Sequence, residues 1–404
     1  MLSKNIINVS LNQFIRNFSA VSLPESHLQL KNTCRNFAKK ELKPIAQKLD
    51  KEHLFPKEQI RKLGTLGLMG ILVSKEYGGS DMNSLALSVA VEELARGCGG
   101  TGAIVSIHNG LYAALLNKYG TAEQKRQFLP SFVDGSSIGS FALSEPESGS
   151  DAANLSTTAT PVTDGWLLNG TKSWVTSAYE AKAVIVIALA DKNKGHRGTN
   201  AYIIPIPTKG LTIGQKEDKL GIRASSTCSI FLENVHVTTD NLLGKEGDGF
   251  KIAMSSIDCG RIGVASLGLG IAQASLDCAI EYANARKAFG GSLLKLQAVQ
   301  QRIARMALQL ESARLLTWKA AMLRDDNQPF IKAASMAKLS ASEAATAISH
   351  NCIQILGGMG YVTNMPAERY YRDARITEIF GGPSDIQLLV IAEQTAKEYG
   401  YKTR

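Results

Sequence analysis

The apolar residues of this 404-residue chain change their spacing twice. Through residues 24–135 they recur every three or four positions, which is typical of amphipathic helices. Between about 139 and 245 they fall instead into short runs rich in β-branched residues, such as 183–189 and 201–206, divided by Gly, Asn and Asp clusters. Helical spacing returns at Gly249. A strand-forming segment enclosed by two helical ones predicts an α+β fold.

The same changes of spacing suggest where the chain divides into domains. We expect an N-terminal helical domain, a central β-sheet domain and a C-terminal helix bundle, preceded by a short targeting segment. The expected bounds are 1–20 for the targeting segment, 21–138, 139–246 and 247–404.

Composition excludes several classes of protein. A hydrophobic content of 44% and a charged content of 20% argue against a disordered chain. We expect no integral membrane segment, because no stretch of about 20 residues is both apolar and uncharged. The net charge of +9 is spread among acidic residues, as in Lys216-Glu-Asp-Lys219, and predicts no nucleic-acid binding. The six cysteines show neither close pairing nor metal-ligand spacing, so we expect no disulfide and no metal.

The first twenty residues contain no acid, and Ile7, Leu11, Phe14 and Phe18 would share one face of a helix. Asn5, Asn8 and Asn12 interrupt the apolar run that a secretory signal requires. We interpret residues 1–20 as a mitochondrial presequence, which predicts the mitochondrial matrix as location. An unstructured N-terminal tail is the alternative.

The most specific pattern lies near the C-terminus, in residues 354–361, Arg372-Asp373 and residues 375–387. It resembles the C-terminal signature of the acyl-CoA dehydrogenases, and the resemblance extends over residues 24–396. Short-chain, butyryl-CoA enzymes are the most similar branch. The resemblance implies FAD as cofactor, an acyl-CoA substrate, electron-transfer flavoprotein as acceptor and a homotetramer.

Two segments match the parts of that family that hold the flavin ring. Residues 141–151 taken alone predict a turn, and a lone Trp in a β domain is more often part of the core. The resemblance instead implies that the first segment contacts the flavin pyrimidine and the second lies beside the ring, with Ser150 also contacting the thioester. The implied residues are Phe141, Leu143, Ser144, Ser150, Trp174, Val175 and Thr176.

The resemblance also implies residues for the rest of FAD and for the acyl-CoA. In the family, an arginine and a glutamine reach the FAD of a neighbouring subunit, and Arg286 and Gln297 match them. The segment at the adenosine end corresponds to Gln354, Gly357 and Gly358. Pro383 and Asp385 stand at further positions that bind FAD in the family. The acyl-CoA contacts correspond to Ser150, Asp258, Arg261 and Gly382.

One family residue is missing. The family segment usually reads Tyr-Glu-Gly-Thr-Ser-Glu, and its first glutamate removes the substrate Cα proton, whereas this chain has Phe380-Gly-Gly-Pro-Ser-Asp385. Gly381 stands at the position of that base. A second branch places the base on a helix, at the position of Gly260.

Three functions remain open from the sequence. The chain could oxidise short-chain acyl-CoA to trans-2-enoyl-CoA with reduced activity, or bind FAD and acyl-CoA as a non-catalytic paralogue or tetramer partner. A helical protein without cofactor fits less well, because the flavin motifs are retained.

Overall fold

The computed structural model describes residues 23–402. The targeting segment expected at residues 1–20 lies outside this range. Of the described residues, those before about 135 are helical, those from 139 to 245 form the sheet, and the remainder is again helical. The α+β class is therefore confirmed.

Between residues 23 and 135 the N-terminal region contains eight α-helices, two of which begin at a side-chain cap. Asn83 caps the fourth by accepting a hydrogen bond from the Ala86 backbone, and Thr121 and Gln124 form a capping box at the seventh. The helices are α1 Glu25–Phe37, α2 Ala46–Lys51, α3 Lys57–Thr65, α4 Ser84–Gly97, α5 Gly99–Ile107, α6 Ala114–Tyr119, α7 Ala122–Phe128 and α8 Pro130–Val133.

The central sheet is curled and contains the buried strand β4, which pairs in parallel with β1 and antiparallel with β5. The long strand β3 pairs with β2 and β7, and β6 extends the far edge. The strands are β1 Gly139–Ala142, β2 Thr158–Val162, β3 Gly165–Thr176, β4 Ala183–Leu189, β5 Thr199–Pro205, β6 Leu211–Ile213 and β7 Thr227–Val237.

The C-terminal region is a bundle of long helices that follows the sheet. A two-stranded hairpin, β8 Lys287–Ala288 and β9 Gly291–Ser292, joins the first two helices. The helices are α9 Gly249–Ala285, α10 Gln297–Asp325, α11 Ile331–Leu356, α12 Gly358–Tyr361, α13 Ala367–Arg375 and α14 Ser384–Glu398.

Helix α9 explains the most apolar stretch of the chain. It is the one helix among residues 23–402 that is long and apolar enough to cross a membrane, a feature that the sequence analysis overlooked. However, 83% of its most apolar window is buried inside the fold, where α9 packs chiefly against α11 and α4. Its composition is that of a core helix.

A single arginine joins the three regions. The Arg372 guanidinium on α13 binds both carboxylate oxygens of Asp50, at 3.0 and 2.6 Å, in the N-terminal region. It also donates to the Leu220 carbonyl of the β region at 2.9 Å and to Glu368 at 2.6 and 3.1 Å. Burial lowers the pKa of Arg372, but the hydrogen bonds and charges of Asp50 and Glu368 outweigh burial and raise it.

The neighbouring residue completes this junction. The buried carboxylate of Asp373 accepts a hydrogen bond from the Ile222 backbone N–H at 2.5 Å, and burial raises its pKa to about 6. A Cβ at Gly221 would lie 2.3 Å from the Arg372 carbonyl oxygen, so the backbone at Gly221 packs directly against the backbone of α13. Residues 220–222 of the β region are thereby fixed against α13.

We expect Arg372→Lys to destabilise the protein by about 2–3 kcal/mol, although it keeps the charge. A lysine cannot form the forked contacts to Asp50, and the largely buried carboxylate would lose part of its pairing. Equilibrium urea unfolding measures the change. Arg126→Lys is the control, because the Arg126–Glu123 pair is exposed and should contribute little. Equal losses in both variants would contradict this role for Arg372.

Candidate active site

The loop at residues 141–151 is fastened to strand β3. The Ser173 backbone N–H donates to the Ser144 carbonyl at 2.8 Å. The buried Lys172 ammonium donates to the Leu143 carbonyl at 3.0 Å and to the Glu145 carboxylate at 2.6 Å. The two segments that the sequence analysis assigned to the flavin ring therefore lie side by side.

Glu145 makes this junction rigid. Its carboxylate also accepts hydrogen bonds from the Ser156 backbone N–H and hydroxyl, both at 2.6 Å, and from the Thr157 N–H at 3.0 Å. Burial raises the pKa of Glu145, but the Lys172 charge and these hydrogen bonds outweigh it and hold the pKa at about 2. Burial lowers the pKa of Lys172 to about 8, against the attraction of Glu145. Both groups are charged at neutral pH.

Trp174 presents its ring to open space. The pairing of β3 with β7 shifts register between Lys172 and Val175, and Trp174 in this bulge has a φ of +60°. As a result 66% of Trp174 is exposed, whereas the next residue, Val175, is fully buried. The Thr176 carbonyl is fixed by the Ser140 hydroxyl at 2.9 Å. An exposed indole on a strained strand is an open platform for a flat ligand.

A buried ion pair lies on the first half of α9. Arg261 Nη1 donates to Asp258 at 2.7 Å, while Arg261 Nε is buried and has no partner. Burial raises the pKa of Asp258 and lowers that of Arg261, and each charge opposes the shift of the other. The unpartnered Nε is a donor available to a ligand oxygen.

Gly381 and Gly260 lie near each other in space. A Cβ placed on Gly381 would lie 3.2 Å from the Val264 side chain of α9, and Gly260 lies one helical turn before Val264. A Cβ on Gly260 would meet the Leu111 side chain at 3.3 Å. Both positions therefore border the same stretch of α9.

The acids closest in sequence to these glycines already have partners. Glu378 accepts a hydrogen bond from the Thr346 hydroxyl and forms an ion pair with Arg375 at 2.8 Å. Asp258 is paired with Arg261, as described above. Both carboxylates are therefore already engaged by other side chains and are not free to take a substrate proton.

The side chain of Gln387 holds the loop that contains Gly381. The buried Gln387 amide donates to the Gly382 carbonyl at 2.8 Å and to the Gly381 carbonyl at 3.3 Å. Both glycines have positive φ, +66° and +88°. Pro383 precedes α14, Asp385 lies exposed in its first turn, and the buried hydroxyl of Ser384 has no partner.

Lys338 is a residue that the sequence analysis missed. It lies fully buried on α11, its ammonium has no hydrogen-bond partner, and the charges of Glu378 and Arg261 act on it. Burial lowers the pKa of Lys338 to about 8, while Glu378 opposes the shift. A single lysine within a stripe of alanines at helical spacing was the signal in the sequence.

The other residues that the resemblance assigned to FAD lie on the surface. Arg286 and Gln297 are exposed on either side of the β8–β9 hairpin, at whose tip Phe289 is 92% exposed. Gln354, Gly357 and Gly358 are exposed at the end of α11, and a Cβ on either glycine would meet no atom within 4 Å. Ser150 is also exposed.

Three family profiles match the chain in order. They are the acyl-CoA dehydrogenase N-terminal domain over residues 24–136, the middle domain over 140–235 and the C-terminal domain over 247–396. The mitochondrial short-chain specific acyl-CoA dehydrogenase of Rattus norvegicus is 58% identical over 382 residues, covering 95% of this chain and 93% of the relative.

Two solved structures have the same architecture. Butyryl-CoA dehydrogenase from Megasphaera elsdenii superposes with a TM-score of 0.90 at 39% identity, covering 93% of this chain and 99% of the other. A chain solved in work on the electron transferring flavoprotein of Acidaminococcus fermentans gives a TM-score of 0.91 at 40% identity, with coverages of 93% and 98%.

Three domains of this kind, a strand-borne aromatic platform and a glycine-rich loop over a long helix define an FAD-dependent dehydrogenase. The chain belongs to the acyl-CoA dehydrogenase family.

The described residues fit FAD. The Trp174 indole offers an open flat surface, and Gly357 and Gly358 leave room for close backbone approach. The unpartnered Ser384 hydroxyl near the 381–383 loop is a donor that a bound ligand could satisfy. No group of three or more His, Cys, Asp or Glu residues able to hold a metal ion occurs between residues 23 and 402.

We expect Glu145→Gln to destabilise the protein by about 3–5 kcal/mol and to lower its flavin content, because Lys172 would remain buried without its charge partner. The double variant Glu145→Gln/Lys172→Met should lose less than the single variant. In the unaltered protein, the stabilising effect of Glu145 is complete above about pH 4.5 and is lost as the pH falls towards 2.

Thermal unfolding and the flavin-to-protein absorbance ratio are the measurements. A double variant less stable than Glu145→Gln would show that the ion pair is not the main function of the two residues.

Proposed function

We propose that this protein is a short-chain acyl-CoA dehydrogenase that binds FAD and acyl-CoA normally but removes the substrate proton slowly. The reaction would convert a short-chain acyl-CoA to its trans-2-enoyl-CoA. The specificity of the rat relative and of the Megasphaera butyryl-CoA dehydrogenase supports the substrate class. The observation on which the slow step rests is that Gly381 and Gly260 border the same stretch of α9 without a carboxylate.

In this proposal the chain first positions cofactor and substrate. Trp174 and Thr176 would lie beside the flavin ring, and the 141–151 loop, held by Glu145, would contact its pyrimidine edge. When bound, FAD supplies the group that accepts a hydride from the substrate Cβ. Ser150 and Arg261 would contact the acyl-CoA.

Polarisation of the thioester needs no side chain at position 381. The Gly381 backbone N–H can still donate to the thioester oxygen and so increase the acidity of the Cα proton. The hydrogen bonds from Gln387 hold the loop that carries this N–H. The electrostatic part of the site is therefore retained.

The proton acceptor is what the site lacks. Asp258 and Glu378 are engaged by Arg261, Thr346 and Arg375. A positioned general base contributes about 10²–10⁴-fold to such a reaction. We expect turnover to be lower by a factor of that order than in a family member that has the glutamate.

The second candidate is a non-catalytic paralogue that binds FAD and acyl-CoA or joins tetramers with an active relative. The absence of a side chain at both base positions favours it. The rate at which butyryl-CoA bleaches the flavin under anaerobic conditions distinguishes the two functions, because a paralogue would perturb the flavin spectrum without reducing it.

Restoring a carboxylate tests the missing step. Gly381→Glu should raise butyryl-CoA dehydrogenation at least ~100-fold if only the base is lacking. However, Gly381 has a φ of +66° and its Cβ would press on Val264, so the substitution is strained by about 1–3 kcal/mol. Gly260→Glu avoids the backbone strain, since Gly260 is helical, and offers an independent route to the same result.

Gly381→Gln and Gly260→Gln are the matched controls, because glutamine has the shape of glutamate but cannot take the proton. Steady-state rates and acyl-CoA affinities are measured for all four variants. Rescue by a glutamate and by neither glutamine supports the proposal. An unaltered protein that neither glutamate improves would refute it and make Asp258 and Glu378 the next candidates for the base.

A homotetramer is the proposed assembly. The exposed Arg286 and Gln297 match residues that serve a neighbour's FAD in the family, and Phe289 at the hairpin tip is an apolar side chain left in solvent by the single chain. We expect Phe289→Ser to weaken both assembly and flavin retention, while Leu66→Ser on the N-terminal region changes neither. Light scattering and flavin absorbance report the two effects, and a monomer with full flavin content would contradict the proposal.

The proposed acceptor is electron-transfer flavoprotein, which the similarity to the Acidaminococcus chain supports. The mitochondrial relatives support a location in the mitochondrial matrix, with residues 1–20 as the presequence. A fluorescent reporter fused to residues 1–20 tests the location, and a diffuse cytosolic signal would contradict it.

A further inference from the structure

Two cysteines lie on the facing stripes of the helices α9 and α11. On α9 the buried stripe runs in steps of three and four from Val264 to Cys278. On α11 a stripe of the same spacing runs from Ala334 to Cys352. These steps are the pattern of two helices packed side by side along their length.

The packing register brings the two cysteines together. A Cβ on Gly268 would lie 3.0 Å from the Ala341 carbonyl and 3.7 Å from Ala345, so the helices are in close contact there. Cys278 lies ten residues beyond Gly268. Cys352 lies about as far beyond the midpoint between Ala341 and Ala345. The two thiols lie close enough for each to shift the pKa of the other. All six cysteines are free thiols in the structure.

Cys278 can be reached from solvent. It lines a cleft of about 610 Å³ between α9, α4 and the start of α13, and it retains 9% exposure. Cys352 behind it is fully buried. Small oxidants can therefore reach the first thiol and not the second.

The neighbouring thiol, more than the charges around the cleft, favours Cys278 as the reactive thiol. Cys352 lowers the pKa of Cys278, against burial, and Lys43 also lowers it, whereas Glu281 and Asp277 raise it. The pKa of Cys352 is raised by Cys278 and by burial. Arg35 and Arg96 also line the cleft, where they are paired with Glu93 and Asp277.

We propose that Cys278 and Cys352 are a redox-active dithiol that hydrogen peroxide converts to an intramolecular disulfide. The Cys278 thiolate attacks a peroxide oxygen, which forms a sulfenic acid and releases water after protonation. The Cys352 sulfur then attacks the sulfenic sulfur, the S–S bond forms, and a second water leaves with the Cys352 proton. The two thiols lose two electrons, and the peroxide gains them.

The disulfide would connect the helix of Arg261 with the helix of Lys338 and Gln354. A covalent link across so long a loop restricts the unfolded chain, so the oxidised protein should unfold at a higher temperature. An S–S bond of about 2.05 Å is shorter than a contact between two thiols, so the end of α11 must move slightly towards α9. Gly357 and Gly358 come directly after α11, so we expect the oxidised protein to bind flavin less tightly.

The flavin-loaded full-length protein is treated with graded hydrogen peroxide, and its intact mass, cysteine-linked peptides and melting temperature are measured. We expect a loss of about 2 Da, one peptide pair linking Cys278 to Cys352, and a melting temperature several degrees higher. Dithiothreitol should reverse all three changes. At low hydrogen peroxide concentrations, the other four cysteines should remain thiols.

Two single variants separate the pair from general oxidation. Cys352→Ala should abolish the mass loss and the gain in melting temperature, while Cys278 takes up oxygen instead. Cys34→Ala is the matched control and should behave as the unaltered protein does, because burial raises the pKa of Cys34 to about 12. Formation of the linked peptide pair is independent of turnover, so this test stands even if the proposed dehydrogenase activity fails. Equal oxidation of all six cysteines, or no linked pair before unfolding, would overturn the proposal.

Discussion

Arg372 joins all three regions of the fold, and the candidate active site is shared between two of them. Its guanidinium binds Asp50 of the N-terminal region and the Leu220 carbonyl of the β region from a helix of the C-terminal bundle. The platform around Trp174 belongs to the sheet, whereas Arg261 and Gly381 belong to the bundle. Because a forked guanidinium fixes direction as well as distance, this junction helps to hold the bundle against the sheet.

Buried pairs of opposite charge also hold other segments of the fold in position. Glu145 and Lys172 hold the loop over the sheet, and Arg314 joins α10 to Glu92 of α4 through a bond of 2.9 Å. In a low-dielectric interior such groups are costly unless every partner is in place, so they tolerate few alternative arrangements. Lys338 is an exception, since its buried ammonium has no hydrogen-bond partner. The charges of Glu378 and Arg261 act on it.

Under the proposed function, binding and proton transfer depend on different atoms. The Gly381 N–H and side chains such as Trp174 and Arg261 would contact flavin and thioester, and none of them needs a side chain at position 381. Proton transfer would depend on one carboxylate. The long helices that frame the site also carry the Cys278–Cys352 pair, so oxidation and ligand binding would act on the same packed elements.

The sequence by itself determined the α+β class and the family, because periodicity and motifs are local properties. It located β4 at residues 183–189 correctly but missed β1, β2, β3 and β6, whose mixed burial gives no clear alternation. Only the tertiary structure showed that Asp258 and Glu378 are occupied, that Lys338 is buried near them, and that Cys278 meets Cys352. These facts depend on which helix faces which, and residues far apart in the chain decide that through packing.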